Sequence, residues 1–177
     1  LRSRTIRPSA SVEEKVIDVS TLDPGFKFLI MKEPGGEHIT RCFACGTCTA
    51  GCPIRDVDDR YNPRKIIRMA LLGMKDRVLS SDFIWLCSSC YTCQERCPQD
   101  VRITDLMTAI KNVAVREGYV PDSYRAQVAL LRDHGRLYEI GDFENKKREK
   151  AGLPPIAESA RDSASILAAT GVDKLGS

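Results

Sequence analysis

The sequence predicts a mainly α-helical protein, and three observations carry that prediction. A cysteine run of spacing C-x2-C-x2-C-x3-C-P occurs twice, as CFACGTCTAGCP from Cys42 and CSSCYTCQERCP from Cys87, and every equivalent pair of cysteines is 45 residues apart. Each run is followed by apolar residues at helical spacing rather than in alternation. Strand signals are almost missing, the exception being Val16 to Val19, which hints at one short strand.

The elements follow in order. Asp23 and Pro24 start a helix through Phe26, Phe28, Leu29 and Ile30, and Pro34, Gly35 and Gly36 stop it. After the first cysteine run, Asn62 caps a helix with Pro63 at its first position. Its apolar face is Ile66, Ile67, Ala70, Leu71 and Met74, and Gly73 lies near its end. A short turn or helix over 81–86 places Trp85 beside the second run. Beyond that run Thr104 and Asp105 begin a helix whose stripe is Leu106, Met107, Ile110, Val113 and Ala114, ending before Gly118.

Residues 121–134 repeat the helical spacing in Tyr124, Val128 and Leu131, and Gly135 ends it. Lys146 to Lys150 is a mixed-charge run broken by Gly152, Pro154 and Pro155. An Ala-rich helix from about Glu158 to Ala169 has too little apolar surface for a second independent core, so it is expected to dock on this domain or on a partner. The expected division is an N-terminal extension or interaction arm over 1–37, a cysteine domain over 38–120 and a helical C-terminal extension over 121–177.

The two runs use all eight cysteines of the chain. Thiolates three residues apart can wrap around successive corners of an iron–sulfur cubane, and this spacing is that of a two-cluster iron–sulfur protein. A zinc ion has one centre and structural zinc sites usually join two separated C-x2-C pairs, so the third close cysteine and the proline-flanked fourth fit it poorly. Two four-cysteine zinc cages nevertheless stand as an alternative. A disulfide framework is the third reading, opposed by the awkward geometry of such close neighbours and by the lack of a legible secretory signal. Pro53 and Pro98 fix the backbone torsion and lack an amide proton, which favours a chain leaving the site without continuing a helix. Phe43, Trp85 and Tyr91 are expected to pack against the cysteine segments and exclude water.

The 177 residues allow one compact domain with extensions, and the 42% apolar content is ordinary for a globular protein. No apolar run reaches membrane-spanning length. The chain opens at Leu1 rather than methionine, which implies a missing or processed segment and leaves targeting unassigned. A formal charge of +3 does not imply nucleic-acid binding, because it counts the eight thiols as neutral. Eight thiolates and two oxidised cores of about +2 each would bring the loaded chain to about −1. Arg41, Arg55, Arg64, Lys65, Arg96 and Arg102 lie near the runs and would favour the more negative reduced state where they approach it.

No catalytic residue is expected in this chain. His38 and His134 sit in turn-like settings without a nucleophile or metal partner, and neither a G-x-G-x-x-G nor a G-x-x-x-x-G-K-[ST] loop occurs. The residue pattern therefore points to conduction, with substrate chemistry on a partner.

The doubled run resembles that of bacterial two-cluster ferredoxins, and the long helical connections are similar to the α-helical ferredoxin type. That resemblance implies an α-helical ferredoxin-like domain with two [4Fe-4S] clusters and crossed ligation. Cys42, Cys45, Cys48 and Cys97 would hold one cluster, and Cys87, Cys90, Cys93 and Cys52 the other. The closer resemblance, carried by CFACGTCTAGCP, NPRKIIRMALLGMKDRVLSSDFIWLCSSCYTCQERCP and VRITDLMTAIKNVAVREG, is to the C subunit of heterodisulfide reductase. It covers roughly 26–135, and the tail segments AGLPP and ATGVDKL look similar as well.

Membership of that family implies a cytoplasmic complex in which this polypeptide passes single electrons from the flavin-containing A subunit to the B subunit. The B subunit reduces the mixed disulfide of coenzymes M and B in methanogenesis. Hydrogenase or formate dehydrogenase modules are further implied partners, with no nucleic acid and no integral membrane segment. The cysteine motif alone is shared with subunits of succinate dehydrogenase, fumarate reductase, glycerol-3-phosphate dehydrogenase and glycolate oxidase. The iron–sulfur subunit of a quinone-linked dehydrogenase is therefore an alternative, and a zinc-stabilised interaction or nucleic-acid module is one of a different class.

Overall fold

The computed structural model describes residues 16–156 and 159–175, which fall into two compact units divided between Tyr119 and Val120. The first unit contains α1 (Phe26–Met31), α2 (Thr47–Ala50), α3 (Pro53–Val57), α4 (Pro63–Leu71), α5 (Lys75–Leu79), α6 (Thr92–Glu95) and α7 (Ile103–Arg116). There is no β-strand among the described residues. The helical ferredoxin-like class is what the chain adopts.

Helix α7 is the spine of this unit. Leu106, Ile110 and Ala114 are wholly buried, and Met107 and Val113 nearly so, so the whole expected stripe faces the core. Burying each of the larger side chains stabilises the fold by about 1.5–3 kcal/mol. Against α7 pack α1, α5, α6 and the 3-10 turn Phe83–Leu86. Helix α4 lies on α1, α2 and α5 and contributes Ile66, Ile67, Met69 and Ala70 to the same core.

The first turn of α4 is built as the sequence requires: the Asn62 side-chain oxygen accepts from the Lys65 amide at 2.9 Å, and Pro63 takes the first helical position. Its end is fixed by Gly73, which adopts φ +81° while its carbonyl accepts from the Asp23 amide at 2.9 Å. A Cβ there would lie 2.3 Å from the Asp23 carbonyl oxygen, so both the torsion and the space demand glycine. Met74, expected on the α4 face, instead precedes α5, whose Val78 and Leu79 are wholly buried.

Several expectations change. The strand hinted at by Val16 to Val19 does not form. The Asp18 side chain accepts from the Ser20 amide at 2.9 Å and from its hydroxyl at 2.7 Å, and this local turn makes Val19–Thr21 a 3-10 helix. Residues 1–37 do not stand apart as an arm where they are described: Phe26 and Ile30 are wholly buried in the core, and α1 packs on α4 and α7. Buried Glu33 just beyond α1 pairs with Arg116 at the end of α7. Residues 1–15 of the expected arm lie outside the described residues. Pro53 does separate α2 from the next segment, but it then opens α3 as its first residue, where a missing amide proton costs nothing.

The second unit contains α8 (Asp122–His134), α9 (Asp142–Lys150) and α10 (Arg161–Thr170). Helix α8 ends at Gly135 in the left-handed conformation, and it packs on α10 and on the 3-10 turn Val172–Leu175. Ser163 donates to the Leu131 carbonyl at 2.9 Å and Arg125 to the Leu175 carbonyl at 3.1 Å. The Ala-rich helix thus docks within its own unit, from Arg161 on. Its expected first residue, Glu158, lies outside the described residues. The mixed-charge run proves to be helical. Asp142 and Glu144 open α9 and Lys147, Arg148 and Lys150 close it, which matches the helix dipole at both ends. None of these three helices has a buried residue.

Candidate iron–sulfur site

The two cysteine runs fold alike, residue for residue. In the first, Ala44 and Gly46 have φ of 63° and 91°. In the second, the equivalent Ser89 and Tyr91 have 54° and 63°. Left-handed residues therefore flank the second cysteine of each run, turning the backbone into an amide-lined concavity of the kind that receives anions, iron–sulfur clusters among them. Each run then enters a one-turn helix, α2 or α6, and these two turns pack against each other. Each turn is also tied to the long helix that comes after it. Thr49 donates to Asn62 at 3.0 Å at the start of α4, and Gln94 donates to Asp105 at 3.2 Å in the first turn of α7.

Folding joins the runs crosswise. A cavity of roughly 330 Å³, counting its open mouth, is lined by Cys42, Cys45, Cys48 and, from the other run, Cys97, with Arg64 and Val101 at its wall. On the other side the Cys93 thiol senses the charges of Cys87, Cys52 and Cys90. Cys48 lies close enough to Cys93 to feel it, so the two groups adjoin. Among the described residues no three His, Cys, Asp or Glu side chains converge on a point where one metal ion would sit. The first four cysteines line one cavity, and four thiolates are the donor set of a cubane with separate iron corners.

The environment of each thiol follows its place in the run. Cys45 and Cys90 are exposed, and their thiols are held below the usual range by the hydroxyls of Thr47 and Thr92, at 3.4 and 3.6 Å. Burial pushes the Cys48 thiol up to about 11 and raises that of Cys93. An iron centre bound there would supply the positive charge that favours their thiolate forms. Val101 donates its amide to the Cys97 sulfur at 3.4 Å, from a segment bent by left-handed Asp100 and Arg102. The His38 ring hydrogen-bonds the Asp100 carbonyl at 3.0 Å, which ties the approach to Cys42 to the exit from Cys97. His38 is thus a structural clasp.

Of the six basic residues near the runs, Arg64 reaches the cavity wall, whereas Arg41 and Arg102 face Asp100 at 3.5 and 3.8 Å. Tyr91 does not shield the site as expected, being 47% exposed, whereas Phe43, although 61% exposed, lines the cavity of the first four cysteines. Tyr91 is itself a left-handed residue of its turn, which directs its side chain outward. Trp85 is partly buried against the core. Sequence reading missed Thr47 and Thr92, although their 45-residue offset was available as a signal. It also missed Tyr61, Thr104 and Lys111, which only folding brings to the second group of cysteines.

Residues 38–101 match the family model of the 4Fe-4S dicluster domain, so the unit binds iron–sulfur clusters. The chain is 35% identical over 170 residues to the C subunit of the H(2):CoB-CoM heterodisulfide,ferredoxin reductase of Methanothermobacter thermautotrophicus, covering 92% of this chain and 91% of that one. The chain belongs to the family of heterodisulfide reductase C subunits. Other members are the C subunit of the Ferredoxin:CoB-CoM heterodisulfide reductase of Methanosarcina mazei, 39% identical over 76% of this chain and 83% of its own, and the iron-sulfur C subunit of the CoB--CoM heterodisulfide reductase of Methanopyrus kandleri, 36% identical over 81% and 78%. As a member of this family, the chain is an electron-transfer iron–sulfur subunit of an oxidoreductase, and the zinc-module and quinone-dehydrogenase readings are not favoured. No helix among the described residues is long and apolar enough to cross a membrane.

Proposed function

We propose that this chain carries two [4Fe-4S] clusters with crossed ligation and conducts electrons without converting a substrate itself. Cys42, Cys45, Cys48 and Cys97 hold one cluster; Cys87, Cys90, Cys93 and Cys52 hold the other. The observation that carries the reading is the cavity in which Cys97 joins the three leading cysteines of the opposite run. When bound, such clusters supply one-electron carriers of tunable potential. The chain's own residues do the rest: the left-handed turns present amides, Thr47 and Thr92 support the exposed thiolates, and the packed α2 and α6 turns hold the two groups side by side.

In the cell this protein is cytoplasmic, takes electrons from a flavin-containing A subunit and delivers them to a B subunit that reduces the coenzyme M/coenzyme B heterodisulfide. Hydrogenase or formate dehydrogenase modules supply the complex with electrons. The names of the relatives, which specify CoB-CoM heterodisulfide and in two cases ferredoxin, support that assignment. Residues 121–177 serve as a docking segment for these partners. The test is anaerobic co-purification of the native complex. A flavoprotein and a cysteine-rich catalytic subunit are expected to accompany the chain; a membrane cytochrome and a quinone-reactive dehydrogenase in their place would contradict the assignment.

A further inference from the structure

Helix α9 has two faces of different kind. On one, the Asn145 side chain accepts from the Ile156 amide at 2.9 Å and donates to the Ile156 carbonyl at 3.2 Å, and Arg148 donates to the Pro154 carbonyl at 2.9 Å. The segment after the helix is thereby folded back along it, and both side chains are half-buried. The other face carries Phe143, Lys146, Lys147 and Lys150, spaced i, i+3, i+4 and i+7 and so aligned in one helical stripe. All four are exposed, Phe143 by 65%. The carboxylates of the helix, Asp142, Glu144 and Glu149, fall outside this stripe.

Such a face does nothing for the helix itself. Like charges three and four residues apart repel, and among the described residues none of the three lysines pairs with a carboxylate. The Lys147 ammonium lies over the Phe143 ring, 4.2 Å from its centroid, which holds the ring in place without burying it. The result is one apolar side chain among three cations. Its complement is an apolar pocket rimmed with carboxylates, because an aromatic anchor in a desolvated pocket carries much of an interface's energy and rim charges steer the approach. A membrane is a poor match, since a nine-residue helix with one apolar side chain on this face has little to bury in lipid. A protein partner also accords with membership of a family of oxidoreductase subunits.

We propose that the face of α9 formed by Phe143, Lys146, Lys147 and Lys150 docks a neighbouring subunit of the oxidoreductase, through an apolar pocket on that subunit rimmed with aspartate or glutamate. The inference rests on the reading of residues 121–177 as a docking segment, and deepens it by naming the face and the chemistry that meets it. The face lies apart in sequence from every cysteine, so its work is assembly and not conduction.

The test uses the native complex, purified anaerobically through a tag on the full chain. A carbodiimide, which joins an amine directly to a carboxylate, should link Lys146, Lys147 or Lys150 to aspartate or glutamate of a partner subunit, read by peptide mass spectrometry. Replacing the three lysines together by glutamine should raise the dissociation constant of that subunit by about tenfold or more and flatten its salt dependence. Phe143→Ala should weaken retention to a similar extent while keeping the salt dependence of the wild type. The triple arginine variant should retain the subunit, as should Glu149→Gln, and iron content should be the same in all. If the glutamine variant loses iron, Phe143→Ala decides. Unchanged retention in the glutamine and Phe143→Ala variants overturns the inference. So does wild-type binding to vesicles of anionic phospholipid or to duplex DNA that the glutamine variant loses while its subunits stay. Cross-links to partners from other residues of 121–177 and none from these three overturn the face and leave the docking segment standing. A complex with no cross-link from 121–177 to any partner defeats both.

Discussion

The first and second cysteine runs share their spacing, their left-handed turns and their threonine partners, yet the chain leaves them differently. After Cys52 it builds the extra helix α3 and reaches α4 through a side-chain cap on Asn62. After Cys97 it bends through left-handed Asp100 and Arg102 straight into α7, which has no side-chain cap and is longer and more deeply buried. The difference teaches that the repeat is confined to the segments that must present sulfur. The exits are free to differ.

The largest effect should come from the fourth cysteines. Cys52→Ser is expected to remove or convert the cluster of the second run, and Cys97→Ser that of the first, read by EPR or Mössbauer spectroscopy with iron content falling by up to about half. Damage confined in each case to the mutated residue's own run would break the crosswise comparison. Next in size is Leu106→Ala on α7, which should cost about 2–5 kcal/mol because it empties a wholly buried site. Leu71→Ala on α4, at a partly buried position, should cost less in anaerobic thermal unfolding. Equal losses would mean that α7 is no more central than α4.

Asn62→Ala should remove the cap of α4 at a cost of about 1 kcal/mol. Arg102→Ala should show no such capping loss, since the side chain of Arg102 caps nothing. The smallest contrast lies at the paired turn positions. Gly46→Ala should destabilise by about 1 kcal/mol, because φ is 91° there while a Cβ would meet only the Arg64 side chain, at an ordinary contact distance of 3.8 Å. Tyr91→Gly, which relieves the same torsion, should cost less than that. A larger loss at Tyr91 would show that its half-exposed ring carries packing of its own.

Much of this was legible in the sequence because the determining signals are local. Cysteine spacing points to iron–sulfur ligation, and Asn62–Pro63 and the stripe of α7 announce a helix start and a buried face. What escaped depends on distance or on a different rule. Tyr61 and Cys87 are brought together by tertiary packing, and nothing near Tyr61 in the chain marks it. Helix α9 shows no apolar period, and its helicity lies in the order of its charges. Tyr91 looks like a shielding aromatic in composition, but its left-handed turn obeys no face rule and exposes it. Val16 to Val19 has strand-like residues, and one aspartate side chain turns the segment instead.

Iron and acid-labile sulfide on anaerobically purified protein give the most direct measurement. About eight irons with matching sulfide per chain, and no zinc, are expected of two crossed [4Fe-4S] sites. About two zincs per chain without sulfide would contradict them.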